Sequence, residues 1–560
     1  MGEQSTRVFD VVVVGSGAAG GWASKRLSEA GLKVALVDAG RPQNDQNFTE
    51  HEPGFKLKYR NRAPLVMRLT RPIQGNVASE YNYEWFCNDL EEPYTTAPGM
   101  PFTWMGRLRI TGGRTNVWGR QSYRFSDLDF KAASQDGYGA DWPLSYKDVA
   151  PYYDLVEEYV GITGIPAGVY ELPDGKFHPP MGLTCAEVRF TNLVGKKFGR
   201  TVTLGRSANL TRPINGRAPC HYCGPCDRGC VTHSYFNSAF TTVADALKTG
   251  NLTHFPNAMV YQVLMDSERN RARGVLYIDR ITHRPTEVRG RVVVLCAQAL
   301  ESVRILLNSA NPQYPNGLAN SSGALGHYLM DHIMGIGASG ELPSFTPEKP
   351  ALNQPHRPDG IYVIRFRNTH EGPPYKKFLR GYGFQGGGGI GFNWGAAGFG
   401  NSYKEALREP LTTFSLGAFG ECLARWENCV EIDPGIRDIF GIPVLRIHMA
   451  HAENEYAMAR DMAESAAEML EAAGAKRIKV RAESPGPGWA IHEVGIARMG
   501  DDPKKSVLNQ FQQSHDIRNL FVMDGAGFAS SACQNPTLTI MALCVRSCDY
   551  LLDQMRRGDV

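Results

Sequence analysis

The stretch Asp10-Val11-Val12-Val13-Val14-Gly15-Ser16-Gly17-Ala18-Ala19-Gly20 decides the fold. Four consecutive valines read as a strand buried on both faces, as inside a parallel sheet. The run stops at Gly15-x-Gly17-x-x-Gly20, after which residues 22–30 read as a helix closed by Gly31. Residues 32–37 form a second apolar strand with Asp38 at its tip. Strand, glycine turn, helix, strand and acid make a dinucleotide-binding unit. The glycines let the backbone approach a pyrophosphate at a helix N-terminus, and an acid about twenty residues on accepts from a ribose hydroxyl. The pattern does not separate NAD from FAD.

Working outward, 560 residues exceed one small core, so two or more domains are expected. With 42% apolar and 21% charged residues the chain has an ordinary soluble globular composition. A net charge of +3 leaves no footprint for nucleic acid or an anionic membrane. No apolar run reaches membrane-spanning length. Residues 1–7 are polar and lead straight into the first strand, so no signal peptide is expected. βα character falls at residues 8–40, 255–310 and 517–555, with irregular, aromatic and proline-rich sequence between. The fold class that follows is α/β: a discontinuous Rossmann-like domain with a sheet-based α+β substrate domain inserted through it. The cofactor domain is assigned residues 1–45, 105–140, 205–330 and 486–560. Residues 46–104, 141–204 and 331–485 form the substrate domain and its covering loops.

Within that frame, Gly112-Gly113 followed by Arg114-Thr115-Asn116 suits a backbone lying against a flat cofactor ring. Ser145 and Asp148 make a capping pair for a helix over residues 146–159. Residues 292–307 read as a buried strand turning into a helix at Ala297. Asp331 and His332, in the stretch 326–332, read as polar packing near the domain boundary. In the substrate domain, Tyr382-Gly383-Phe384 and Phe392-Asn393-Trp394 are aromatic and glycine-rich, residues 444–449 alternate as a strand, and residues 453–473 form one long helix. Gly386 to Gly389 reads as a flexible loop.

Cys220-x2-Cys223-x2-Cys226-x3-Cys230 places four of the twelve cysteines in eleven residues. This is the spacing of the bacterial ferredoxin run, whose thiolates hold an iron–sulfur cluster. Structural zinc more often uses two cysteine pairs a dozen or more residues apart, and disulfides need an oxidising compartment. Val231 follows the last cysteine instead of Pro, and no second run exists. A four-iron cluster on all four cysteines and a three-iron cluster with one cysteine spare both remain open. The other eight cysteines read as small buried hydrophobes.

Near the C-terminus, Ile491-His492-Glu493-Val494-Gly495 lacks a histidine at position 496, so it is no HExxH zinc site. Residues 520–526 read as a short strand ending at Asp524. Then Asn535-Pro536-Thr537 opens a helix to about residue 552, with Pro536 at its first position. Such a helix start aims N–H groups at an electron-rich flavin or an anionic intermediate. A His and an Asn beside it can serve as base and hydroxyl holder.

Taken in order, these motifs resemble the glucose–methanol–choline (GMC) family of flavin oxidoreductases over nearly the whole chain. The resemblance implies FAD, with Gly15, Gly17, Gly20, Asp38, Gly112, Gly113, Asn116, Ala297, Asp524, Pro536 and Thr537 at the cofactor. It implies alcohol oxidation by hydride transfer to flavin N5 while His492 takes the hydroxyl proton and Asn535 holds the oxygen. An alcohol does not ionise at neutral pH, so its proton must leave with the hydride, and histidine is the natural acceptor. The family more often has Glu where Asp38 stands. Val117 occupies the apparent position of the histidine that carries covalent flavin in some pyranose oxidases, so FAD is expected to be non-covalent. The cysteine run resembles that of sugar dehydrogenases of the glucose, gluconate and glucoside 3-dehydrogenase type. In the glucose enzymes three cysteines hold a three-iron cluster, matching Cys220, Cys226 and Cys230, with Cys223 spare or a fourth ligand. Those enzymes pair with a small subunit carrying an export signal and pass electrons to a cytochrome. The resemblance thus implies a dehydrogenase acting on a secondary alcohol of a sugar or glycoside, with C3 a candidate position. It implies a periplasmic location through an exported partner, and a cytoplasmic one otherwise. An oxidase returning electrons to oxygen is the first alternative, and a non-redox lyase the second.

Overall fold

The computed structural model describes residues 7–345, 357–392 and 396–560; Asn393 and Trp394 of the aromatic stretch lie outside them. The valine run is the strand Val8–Val14, with Val11, Val12 and Val13 wholly buried. Each such side chain contributes about 1.5–3 kcal/mol through burial. The strand runs parallel to Val34–Val37 on one side and to Pro285–Leu295 on the other. Leu252–Phe255 extends the sheet beyond the first neighbour, and Leu520–Val522 pairs parallel with the end of the second. The sheet's other edge is an antiparallel meander, Ala258–Asp266 and Arg271–Asp279, leading into Pro285–Leu295. The βα pattern expected over residues 255–310 is therefore a meander first and a strand–helix unit only at its end, in Ala299–Asn308.

The helix Ala18–Glu29 packs against the last helix, Thr537–Arg557, and against Thr242–Lys248. Gly20 lets the helix sit close over the glycine turn: a Cβ there would meet the Gly15 carbonyl oxygen at 1.7 Å and Cys296 Cβ at 3.2 Å. The third glycine of the motif serves packing, not ligand contact.

A second seven-stranded sheet has its own core. Its order is Lys476–Arg481, Gly337–Glu341, Pro410–Glu421, Tyr382–Phe392, Ile361–Val363 and Val202–Leu204, with His332–Ile333 added to Pro410–Glu421. The helices Cys185–Phe198 and Glu453–Ala472 pack on it, burying Phe190, Met458, Met462 and Met469 against Phe414 and Leu416. A small third sheet joins Thr95–Thr96 to Cys429–Arg437 and Pro443–His448.

The glycine patch at 386–389 is not a loop. It lies inside the strand Tyr382–Phe392, in unbroken register with Pro410–Glu421. A Cβ on Gly388 would meet the Phe414 ring at 2.8 Å and Ala186 of the covering helix at 3.1 Å, and one on Gly387 would meet Glu187 Oε1 at 2.8 Å. At Gly387 and Gly388 the covering helix lies too close for side chains, Gly386 faces Ser415 and Leu416 of the neighbouring strand, and Gly389 is open. Among the described residues, no helix is long and apolar enough to cross a membrane.

Candidate active site

A cleft of about 1330 Å³, including its open mouth, runs along the C-terminal ends of the parallel strands. Gly15, Gly17, Asp38, Gly113, Ala297, Asp524, Pro536, Thr537 and His492 all line it. Two helices start at the cleft with no side-chain cap, at Gly17 and at Pro536, so their first N–H groups are free for an anion. Pro536 (φ −80°) is the residue just outside the helix instead of its first member. A Cβ on Gly17 would meet nothing within 4 Å, leaving the backbone open to close approach. Asp38, at the far end, accepts from the N–H of Ser16 (2.7 Å) and of Gly40. Asp38 also lines the cleft, where a ribose hydroxyl could reach it. Asp524 accepts from Ser302 Oγ (2.5 Å) and the Ala526 N–H (2.9 Å), and burial pushes its carboxyl up to about 6. An extended dinucleotide fits this donor set.

Three expected cofactor residues sit behind the lining. Gly20 is the packing glycine. Gly112 (φ +90°) donates its N–H to Ser16 Oγ (2.8 Å), so the glycine pair is hydrogen-bonded directly to the first glycine loop. Asn116 is buried and donates to the carbonyls of Thr111 (3.0 Å) and Gly113 (2.8 Å), bracing the turn from below. Val117, at the candidate flavin-linking position, packs with Trp85 and Phe86.

The catalytic end of the cleft is set by a chain of hydrogen bonds. His332 Nε2 lies 2.9 Å from the Ala532 carbonyl oxygen, which can only accept, so that nitrogen carries the hydrogen. His332 Nδ1 is then a lone pair, and His492 Nδ1, 2.8 Å away, must donate to it. This fixes the His492 tautomer and leaves Nε2 bare. His492 Nε2 faces the Asn535 amide nitrogen at 3.4 Å. Asn535 Oδ1 accepts from Gln385 Nε2 (2.6 Å), which turns the amide's N–H side toward the histidine. The arrangement presents an acceptor, His492 Nε2, and a donor, Asn535 Nδ2, side by side, the pair a hydroxyl group can bridge. Burial above all, then the facing His332 and Arg114, holds the His492 imidazole well below its ordinary pKa. Burial likewise lowers His332 to about 4. Both rings are neutral at pH 7, the state a base needs.

Two acids position this segment. Asp331 accepts from the N–H groups of Gly488 (3.0 Å), Ala490 (3.2 Å) and His492 (3.0 Å), curling residues 488–492 around one buried carboxyl. Burial first, then the neighbouring Glu493 charge, raises that carboxyl to about 7. Glu493, wholly buried at its side chain, receives Arg114 through Nη1 (2.6 Å) and Nη2 (3.1 Å). Arg114 also donates to the Ile491 carbonyl (2.9 Å). Ile491 holds φ +60°, a left-handed conformation costly for a β-branched residue, immediately before the base. The turn beside the first glycine loop is thereby tied to the catalytic segment more than 370 residues away.

His332 and Asp331 correct the sequence expectation: they are part of this site, not boundary packing. Their adjacent acid and imidazole were the available signal. Gln385, in a strand of the second sheet, gave none.

The four cysteines of the 220–230 loop are partly buried, and all twelve cysteines of the chain are free thiols. The Tyr222 N–H points at Cys220 Sγ (3.4 Å), and a one-turn 3-10 helix covers Cys226–Arg228. Burial, then the crowding of the other three thiols, pushes Cys223 up to about 11. Trp118 lines the cleft. Two residues on, the charge of Arg120 partly offsets the upward shift that burial gives the Cys226 thiol. Tyr235 Oη donates to the Asn116 carbonyl (2.8 Å), and Asn237 Nδ2 to Asn116 Oδ1 (2.9 Å). Four thiols on one loop fit a sulfur-ligated cluster.

Fold and site together define a dinucleotide-dependent oxidoreductase. The chain matches the N-terminal GMC oxidoreductase family model over residues 9–334 and the C-terminal one over residues 424–544, and belongs to the GMC oxidoreductase family. GMC oxidoreductases bind FAD, and this chain is an oxidoreductase acting on CH–OH donors. It is 30% identical to the 2-methyl-1,2-propanediol dehydrogenase of Mycolicibacterium austroafricanum, over 97% of this chain and 95% of that one. It is 28% identical to the fructose dehydrogenase large subunit of Gluconobacter japonicus, over 98% of each. Among solved structures, pyridoxine 4-oxidase from Mesorbium loti shares the fold, with a TM-score of 0.61 at 17% identity over 97% of this chain and 99% of that one.

Proposed function

We propose that the protein is a dehydrogenase of a secondary alcohol on a sugar or glycoside, with C3 the candidate carbon, and that its electrons leave through the 220–230 loop. The observation that carries the alcohol chemistry is the fixed tautomer of His492: His332 holds Nδ1–H, so Nε2 is the one free base at the end of the cleft. Non-covalent FAD bound along the cleft would supply the hydride acceptor. His492 Nε2 takes the hydroxyl proton as the C–H bond breaks, and Asn535 Nδ2 holds the oxygen through the developing alkoxide. The imidazolium that results keeps its Nδ1–H on His332, so no rearrangement accompanies the transfer. Gly15, Gly17, Asp38, Gly113, Ala297, Asp524, Pro536 and Thr537 are the residues proposed to hold the cofactor.

An iron–sulfur cluster on the cysteine loop would carry single electrons outward. Trp118 on the cleft and Arg120, whose charge is felt at Cys226, support that route, as does a relative whose name marks it as the large subunit of a sugar dehydrogenase. The proposed partners are a small subunit bearing an export signal and a cytochrome-type acceptor, with the complex in the periplasm. The test is anaerobic flavin bleaching against a panel of sugars, glycosides and simple diols, with oxygen uptake and iron content measured in parallel. Bleaching by sugars, dye reduction without oxygen uptake and bound iron are expected. Rapid oxygen uptake with iron-free protein would refute the electron exit and leave an oxidase.

A further inference from the structure

Beside the cysteine loop lies a second cluster of ligand atoms. His51 Nε2, His221 Nε2 and Cys223 Sγ belong to three residues whose ligand atoms all fall within 4.8 Å of one another. The two imidazole nitrogens are 2.6 Å apart, with the rings stacked at 4.6 Å between centroids. Both histidines are exposed and Cys223 is half-buried, so the group opens to solvent. Residues 48–52 are fastened to the cysteine loop independently of it. The Thr49 N–H donates to the Arg228 carbonyl (3.2 Å), Arg228 Nη1 to the Glu52 carbonyl (2.8 Å), and the Val231 N–H to Glu50 Oε1 (2.5 Å). Glu50 is buried, its Oε2 has no hydrogen-bond partner, and its Oε1 lies 3.8 Å from His51 Nδ1. At 3.8 Å the Glu50 carboxylate is near His51 without hydrogen-bonding to it, close enough for a small shift to make the carboxylate–imidazole contact that orients metal-bound histidine.

We infer that His51, His221 and Cys223 form a mononuclear site for a borderline transition ion of the zinc and cobalt class, separate from the proposed cluster. Two nitrogens and a thiolate with an open fourth position suit such an ion, which prefers tetrahedral N/S ligands. Bonds of about 2.0–2.1 Å would part the two nitrogens to roughly 3.3 Å, a movement of under 1 Å for exposed side chains. On binding, the Cys223 thiol proton goes to solvent and the imidazoles bind as neutral ligands. Cys223 is then the spare cysteine of the run, and a cluster beside it rests on Cys220, Cys226 and Cys230 alone. That last consequence depends on the proposed electron exit; the ion site does not.

The experiment is titration of the chelator-washed full chain with Co²⁺, read as a thiolate-to-cobalt charge-transfer difference spectrum and as cobalt retained after desalting, with iron measured on the same samples. One cobalt per chain is expected. H51A and H221A each weaken binding by more than about tenfold, C223S abolishes the charge-transfer band, and iron stays at three per chain in all of them. Flavin content verifies folding, and both histidines are exposed, so their loss leaves the core intact. Absence of cobalt binding, equal binding in the H51A/H221A double variant, or four irons per chain that fall in C223S would overturn the site. Iron-free protein that still binds cobalt through these three residues would remove the electron exit and leave the site standing.

Discussion

The hydrogen-bond chain from Ala532 through His332 to His492 makes H332A the most informative perturbation. The substitution leaves the His492 Nδ1–H, now fixed at 2.8 Å on its acceptor, buried without a partner. An unpaired buried donor costs about 1–3 kcal/mol, and the imidazole can avoid that cost by moving its hydrogen to Nε2, where it cannot act as a base. Because each 1.36 kcal/mol is a factor of ten in rate, flavin reduction is expected to slow roughly 5- to 150-fold. A second signature goes with it. His332 is one of the groups that lower the His492 pKa, so its removal moves the acidic limb of the rate profile to higher pH. H332Q, which offers both an acceptor to His492 and a donor to Ala532, is expected to restore much of the rate. The assay is anaerobic stopped-flow flavin reduction at saturating substrate from acidic to neutral pH. A wild-type rate with an unmoved limb in H332A would refute the tautomer argument.

The remaining expectations concern the same site. H492A should lose about 10²–10⁴ in flavin reduction while keeping its flavin; unchanged reduction would remove His492 as the base. Gln385→Leu frees the Asn535 amide to rotate, so reduction should fall by about tenfold with flavin content unaltered, measured by the same stopped-flow assay. In the native enzyme a depressed His492 pKa keeps the base neutral as the medium is acidified, since protonation sets in only below the lowered pKa. The rate of reduction should therefore be level from pH 7 through the ordinary imidazole range near 6.5 and fall only at more acidic values; a limb centred at or above 6.5 would contradict this. Glu493→Ala removes the carboxylate that holds Arg114, which keeps its carbonyl acceptors at Gly106, Ile491 and Met105; a cost of about 1–3 kcal/mol is expected, seen as a lower Tm with weaker flavin retention in calorimetry of the holoenzyme.

The cofactor end of this molecule was legible because its signals are local. The Val11–Val14 run, three glycines and Asp38 lie within one βαβ unit, and each residue's role follows from backbone geometry that sequence spacing encodes. Asn535 stands out for a related reason, since it precedes the start of the helix Thr537–Arg557, whereas His492, in a loop, is singled out through the family resemblance. What sequence could not show was long-range. His332 reaches His492 across 160 positions, and Gln385 reaches Asn535 across 150. Side-chain meetings of that separation leave no periodicity or spacing. The glycine patch misled in the opposite direction. Glycine is depleted in strands, so four together suggest a loop, until a helix is found pressed against the middle two. Asn116 likewise carries the small polar character of a ligand contact and spends it holding up a turn.

The neighbours of the first strand set the timing of assembly. Val8–Val14 pairs with Val34–Val37 early, but its other flank, Val292–Leu295, lies some 280 residues downstream, and the cleft is completed only by Asp524 to Thr537. At ribosomal rates of roughly 5–20 residues per second, the valine strand waits about 15–60 seconds with one edge open. The anchoring glycines are made about 500 residues before the segment that closes the cavity they serve. Cofactor capture thus waits for that later segment, and a ligand held by both stabilises only the product in which both are present.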